Sequence, residues 1–164
     1  MVKQRECEQK KKGCGGCPYL EFSYEEQLKK KQKYVKNLLG NFGKVRPIIG
    51  MEHPWHYRNK AISTFSAVKG SQLVSGIYKE GTHMVIPVEA CLLHHERLDE
   101  AIDAVRRAAI FCRYKPYDED RHTGLIRHVL VRHSRLADEI LAVLVTASKE
   151  LPGSRSFVKK VREL

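Results

Sequence analysis

Tyr57-Arg58-Asn59-Lys60-Ala61-Ile62-Ser63-Thr64-Phe65-Ser66-Ala67-Val68, then Lys69-Gly70-Ser71-Gln72, then Leu73-Val74-Ser75-Gly76-Ile77-Tyr78-Lys79, is the stretch whose reading decides the fold. Ala61, Ser63, Phe65 and Ala67 share one side of a period-two alternation, so Tyr57 to Val68 reads as a strand. The polar link over 69–72 is a turn, and Leu73 to Lys79 is a second strand. Glu80-Gly81-Thr82 turns the chain again into Met84-Val85-Ile86. Strands joined by such short links pair as an antiparallel meander.

Working outward, His95 to Phe111 carries Leu98, Ile102, Val105 and Ala109 at helical spacing. Two further strands, Leu125 to His133 and Glu139 to Thr146, are joined as a hairpin by Ser134-Arg135-Leu136-Ala137-Asp138. Upstream, Ser23-Tyr24-Glu25-Glu26 is a capping box that opens a helix from about Tyr24 to Leu39, with Gly40 as its stop. Tyr24, Leu28, Val35 and Leu38 give that helix one stripe expected to be buried. Pro152-Gly153 breaks the chain before Ser156 to Leu164, which reads as the opening of a helix that stops without a cap; the natural chain is expected to continue. The order helix, strands, helix, strands, helix predicts an α+β fold, an antiparallel sheet with helices packed on one face. An N-terminal cysteine-rich loop over residues 1–22 precedes this α+β domain over 23–164.

The 164 residues fit one domain with at most an appendage, and a hydrophobic content of 42% supports a core. The balance of 30 Lys+Arg against 19 Asp+Glu leaves a net charge of +11. Such an excess favours a polyanionic partner, nucleic acid first among them, over a merely soluble basic domain. No run of about twenty apolar residues is present, so no membrane span is expected. The charged start Met1-Val2-Lys3-Gln4-Arg5-Glu6 lacks the apolar core of a secretory signal. A reducing cytoplasm and a monomeric chain are expected, with the five cysteines as ligands or free thiols rather than disulfides.

Cys14-Gly15-Gly16-Cys17 can turn two thiolates onto one metal centre, with the glycines expected to supply the unusual dihedrals of a tight loop. Six residues separate Cys7 from this pair, and Cys91 waits far downstream in Val88-Glu89-Ala90-Cys91. Three clustered cysteines and a remote one suit a [4Fe–4S] cluster. Four thiolates also suit zinc, and His94 or His95 could add a ligand, although zinc sites more often pair two Cys-x-x-Cys knuckles. Unligated thiols are the remaining alternative. Cys112, at the end of an apolar helical run, reads as a core residue.

Basic residues mark the RNA candidates. In Pro54-Trp55-His56-Tyr57-Arg58-Asn59-Lys60, Arg58 and Lys60 are expected to face RNA, while Trp55 is expected to pack in the core. In Thr123-Gly124-Leu125-Ile126-Arg127-His128-Val129-Leu130-Val131-Arg132, alternation sends Arg127 to the face of Val129 and Val131, and His128 and Arg132 to that of Ile126 and Leu130. These arginines could meet RNA phosphates or pair with Asp118, Glu119 or Asp120. Arg58, Lys60, Lys79, Arg127 and Arg132 form the predicted phosphate-contacting set. Neither a dinucleotide-binding fingerprint nor a phosphate-binding loop is present, and no nucleophile–histidine–acid set stands out.

Taken together, Cys7, Cys14-Gly-Gly-Cys17, Ser23-Tyr24-Glu25-Glu26-Gln27-Leu28-Lys29-Lys30-Lys31, Pro54 to Lys60, Gly76-Ile77-Tyr78-Lys79, Pro87 to Cys91 and Gly124 to His128 resemble the RNA uracil-C5 methyltransferases. These enzymes use S-adenosylmethionine to make 5-methyluridine in ribosomal RNA and tRNA. The resemblance implies that Cys7, Cys14, Cys17 and Cys91 hold a [4Fe–4S] cluster with a structural and RNA-positioning role. The spacing from Cys7 to Cys14 is one residue longer than the family pattern. The resemblance covers the central region only. The S-adenosylmethionine-binding domain, the nucleophilic cysteine and the proton-removing carboxylate find no counterpart, so no catalytic residue is assigned and the chain alone is expected to be inactive. A stand-alone RNA-binding module folded by its metal is the alternative, and a redox-sensing iron–sulfur protein a third.

Overall fold

The structure, a computed structural model, describes residues 6–68 and 72–164. Its elements are α1 (Glu8–Lys11), α2 (Tyr24–Leu39), β1 (Lys60–Val68), β2 (Gln72–Tyr78), β3 (Val85–Pro87), α3 (Glu96–Phe111), β4 (Ile126–Ser134), β5 (Glu139–Thr146) and α4 (Ser154–Glu163). The predicted turn over residues 69–71 lies outside the described residues. All five strands join one antiparallel sheet in the order β3-β2-β1-β4-β5. The α+β class and the meander expected from the strand alternation are therefore present.

The core forms where α3 meets the sheet. Leu98, Ile102, Val105, Ala108 and Ala109 of α3 pack with Ala61, Phe65, Leu73, Ile126, Val129 and Val131, and α4 adds Phe157. The apolar spacing along α3 places these side chains on one stripe, which the sheet covers. Leu98 is fully buried. Leu98→Ala is expected to cost about 2–5 kcal/mol, because the cavity cannot collapse between a sheet and a helix. A urea denaturation midpoint equal to that of the parent chain would contradict this packing.

One face of the sheet stays open. Its rows are set by register: Lys60, Arg132 and Leu141 share one row, Ile62, Leu130 and Val143 the next, and Thr64, His128 and Val145 a third. Ile62, Arg132, Leu141, Val143 and Val145 are exposed there.

Three local expectations need correction. A register shift between Ile126 and His128 bulges β4. The extra residue returns Ile126 to the core side with Val129 and Val131, all three fully buried, so Ile126 does not share the face of His128 and Arg132. Second, α2 has its capping box at Ser23 and Glu26, yet none of its residues is buried. It packs not against the sheet but against the returning chain: Gln32 Nε2 donates to Arg46 O (3.1 Å), and Met51 N donates to Tyr24 Oη (2.7 Å). A narrow strip of extended chain leaves Tyr34, Leu38 and Leu39 exposed. Third, residues 1–20 are not loop throughout, because α1 forms one turn behind Cys7, which stands at its N-terminal boundary.

Candidate cysteine centre and nucleic-acid surface

Three separate segments meet at the cysteines. The first contains Cys14 and Cys17. Cys14 forms an antiparallel bridge with Lys79, just past β2. Gly15 N donates to Tyr78 O (3.4 Å) and Glu80 N to Gly13 O (3.2 Å). The left-handed backbone needed to enter this bridge falls on Gly13, at φ 90°, rather than on Gly15 or Gly16. A Cβ on Gly16 would meet Cys14 Sγ at an ordinary 3.5 Å. The expectation that the two intervening glycines supply the unusual dihedrals is therefore corrected by one turn of chain.

The second segment follows β3 and carries Cys91. Its backbone N–H donates to Asp99 Oδ2 (2.9 Å) in the first turn of α3. Asp99 Oδ1 pairs with His94 Nδ1 at 2.7 Å, and the His94 side chain is buried. The third segment, residues 56–58, lies alongside it: His56 N donates to Leu92 O (2.9 Å), Arg58 N to Leu93 O (2.8 Å), and His95 N to Arg58 O (2.9 Å). Arg58 then reaches across to the first segment, donating from Nη2 to Gly16 O (3.2 Å). One guanidinium thus ties the chain before α3 to the Cys-x-x-Cys turn.

The electrostatics follow from this convergence. Burial pushes the Cys17 thiol up, the Arg58 guanidinium pulls it down, and the neighbouring thiols of Cys91, Cys14 and Cys7 raise it again, with a net rise. Cys17 thus feels the charge of each of the other three thiols. At Cys91 burial also opposes the thiolate, but the hydrogen bond and charge of His94 outweigh it and the pKa falls. Burial disfavours the His94 imidazolium, yet hydrogen bonds to Asp99 and Cys91 prevail and raise its pKa to about 9.

Among the described residues, no three His, Cys, Asp or Glu side chains stand at the spacing of a single metal ion. One tetrahedral zinc would hold its thiolates roughly 3.8 Å apart, from Zn–S bonds of about 2.3 Å; a four-iron cube is wider. The donors fit such a group in kind: four thiols, mutually repulsive when ionised, beside one arginine. His94 is committed to Asp99 and Cys91, and the His95 ring lies against that of His133 with centroids 4.2 Å apart. Cys112 ends α3 and is only partly buried against the core, away from this site.

The five predicted RNA contacts do not form one patch. Lys60 and Arg132 are register partners at the open sheet face, and both are exposed. Lys79 lies beside the cysteine turn, its Cε 3.2 Å from where a Gly13 Cβ would stand. Arg58 is half-buried as a brace for that turn. Arg127 donates from Nη2 to Glu119 Oε2 (3.3 Å) and stacks over Tyr117, 4.1 Å from the ring centroid. It stands five residues along β4 from Arg132, roughly 17 Å away. For Arg127, the ion-pairing alternative is the one the structure contains. Trp55 is half-buried and lines a cavity rather than the core. Residue spacing named Glu119 among three candidate partners for the arginines, but it did not reveal Asp99, whose partners are set only by the fold.

The chain is similar in sequence to curated proteins and in fold to a solved structure. The chain is 38% identical over 155 residues to an uncharacterized RNA methyltransferase of Halalkalibacterium halodurans, covering 92% of this chain and 34% of that protein. It is 36% identical over 153 residues to one of Bacillus cereus (90% and 33% coverage), and 34% identical over 154 residues to one of Listeria monocytogenes (92% and 34%). No protein-family model matches. The fold is similar to that of Pyrococcus abyssi tRNA (uracil-54, C5)-methyltransferase, solved in complex with S-adenosyl-L-homocysteine. That likeness has a TM-score of 0.68 at 20% identity and covers 88% of this chain and 34% of that one. Over about nine-tenths of its length, the chain is thus similar to a part of curated RNA methyltransferases. It spans about one third of the length of the curated relatives it matches. Among the described residues, no helix is long and apolar enough to cross a membrane.

Proposed function

We infer that this chain is the iron–sulfur and RNA-recognition region of an RNA (uracil-C5) methyltransferase. It grips folded ribosomal RNA or tRNA in the cytoplasm and helps present a flipped uridine to an S-adenosylmethionine-dependent catalytic domain. The observation that carries this reading is that Arg58 ties the Cys14–Cys17 turn to the segment after Cys91, in a chain so similar to RNA methyltransferases. Cys7, Cys14, Cys17 and Cys91 would hold a [4Fe–4S] cluster. When bound, it supplies bonds that fasten the N-terminal segment to the start of α3. The chain's own residues do the rest. Asp99 holds the Cys91 backbone, His94 favours its thiolate, and Arg58 offsets charge at Cys17. No residue of this chain is assigned to methyl transfer.

An anaerobic count of iron and sulfide on this polypeptide tests the cluster directly. About four of each are expected per chain; one zinc and no sulfide would favour the metal-folded binding module instead. RNA affinity should fall steeply with salt, since phosphate contacts dominate it. Removing both exposed cations of the sheet face, Lys60→Ala with Arg132→Ala, is expected to lower the slope of log affinity against log salt by about 1.4–1.8. Arg127→Ala should change it less, because that charge already answers Glu119. A slope that ignores the double substitution would remove the sheet face from the RNA surface.

A further inference from the structure

Beside the cysteine turn lies a cavity of about 270 Å³ whose wall is unusually aromatic. Tyr19, Phe22, Tyr24, Trp55 and Tyr57 line it, together with the cations Lys31 and Arg58. Two stretches distant in sequence build most of it: the turn after Cys17 running into the start of α2, and the loop before β1. Tyr19 and Tyr57 are exposed at the surface, whereas Phe22, Tyr24 and Trp55 are half-buried. Tyr24 is held by its hydroxyl, which accepts from Met51 N at 2.7 Å, so its ring is fixed in the wall. Lys31 Nζ stands 5.7 Å from the centre of the Tyr19 ring, and Lys30 Nζ is 4.0 Å from that of Phe22.

A hydrophobic core has no use for lysine and arginine in its wall, and a simple phosphate site has no use for five rings. The combination is that of a stacking platform with cations at its edge. The volume lies just under the range of about 300–1,000 Å³ for drug-sized sites, which leaves room for one base and its sugar but not for a helix. We propose that this cavity binds one unpaired nucleotide of single-stranded RNA, its base stacked among Trp55, Tyr57 and Tyr19 and its phosphate near Lys31. The proposal rests on the RNA-binding reading above and extends it from phosphate contacts to a defined base-holding site. It assigns to α2 a purpose that the core does not: a lysine-bearing wall held off the sheet.

Trp55 is the only tryptophan of the sequence, so its emission reports on this cavity alone. Titration of the 164-residue chain with single-stranded hexauridylate at low salt is expected to quench that emission in step with binding, while duplex RNA binds without quenching. Tyr57→Ala should weaken hexauridylate binding about tenfold through lost stacking and leave the salt slope unchanged, with Tyr57→Phe restoring the affinity. Lys31→Ala should instead lower the slope by about 0.7. Hexauridylate binding that leaves Trp55 emission unaltered and tolerates Tyr57→Ala overturns the cavity assignment while the RNA reading stands. A chain that binds no RNA at low salt overturns both. Quenching by a tyrosine-containing peptide but not by hexauridylate assigns the cavity to a protein segment and also overturns the proposal.

Discussion

Cys14→Ser, and separately Cys91→Ser, will each leave the chain without its full complement of iron and sulfide after anaerobic reconstitution, while the sheet retains its strands. Cys14 is 8% exposed, so a hydroxyl in its place has no open route to solvent, and serine is a poor ligand for iron that selects thiolate. Cys91 is held by Asp99 and favoured as a thiolate by His94, so its loss removes the one donor supplied from beyond β3. The consequences should stay local. The N-terminal segment owes its order to a short bridge with Lys79 and to Arg58, whereas the core of α3, β1 and β4 includes neither cysteine. Metal binding that organises a small segment is folding energy for that segment, not for the sheet. Far-UV circular dichroism near that of the parent, faster proteolysis within residues 6–22 and loss of visible absorbance are the expected signature. Cys112→Ser is the control and should keep its iron. Either ligand variant with full iron content would end the four-cysteine assignment.

Gly76→Ala is expected to damage the fold and the cysteine centre together. Gly76 sits in β2 opposite Pro87 of β3 and opposite Thr64 of β1, and it is buried between them. A Cβ there would lie 1.9 Å from Ile86 O, 2.7 Å from Ile86 C and 3.0 Å from Pro87 Cα. Each of these is backbone, so no side chain can swing away, and β3 must separate from β2. Overpacking of this kind costs about 1–3 kcal/mol and occasionally more. About 3 kcal/mol lowers the melting temperature of a chain this size by roughly 6–12 °C. A second effect follows from topology: β3 leads through Pro87 and Val88 directly to Cys91, so displacing it moves the downstream donor. Gly76→Ala should therefore lose iron as well as stability. An unchanged melting temperature, or normal iron in a destabilised chain, would break the link between β3 and Cys91.

The strands, α3 and the capping box of α2 were legible because each follows a local rule. Period-two alternation in Ala61, Ser63 and Phe65, helical spacing in Leu98, Ile102 and Val105, and a serine three residues before a glutamate each need only neighbours in sequence. The same rules misplaced Ile126, because one bulged residue inverts a strand's parity and leaves no mark in composition. They also overstated α2. An amphipathic stripe states that a helix can be covered, not what covers it, and here the chain over 46–51 and the turn before the helix do so rather than the sheet. For the candidate site, the Cys-x-x-Cys spacing announced a ligand pair at once. The Asp99–His94–Cys91 connection did not show, since its hydrogen bonds depend on how α3 docks. The aromatic cavity was invisible for the same reason: Tyr19 and Phe22 are distant from Trp55 in sequence and line one cavity with it only in space.

Read alone, the amino-acid sequence determined which segments form helices and strands, that the chain is strongly basic, and that cysteines are clustered at one end. Those properties are set by side-chain periodicity, by charge count and by spacing along a few residues. Only the tertiary structure decided that Cys91 comes within electrostatic reach of Cys17, that Arg58 braces the cysteine turn while Arg127 answers Glu119, and that five rings line one cavity. Contacts between residues 40 or more positions apart are chosen by which apolar faces can be buried together, and that choice belongs to the packed chain as a whole.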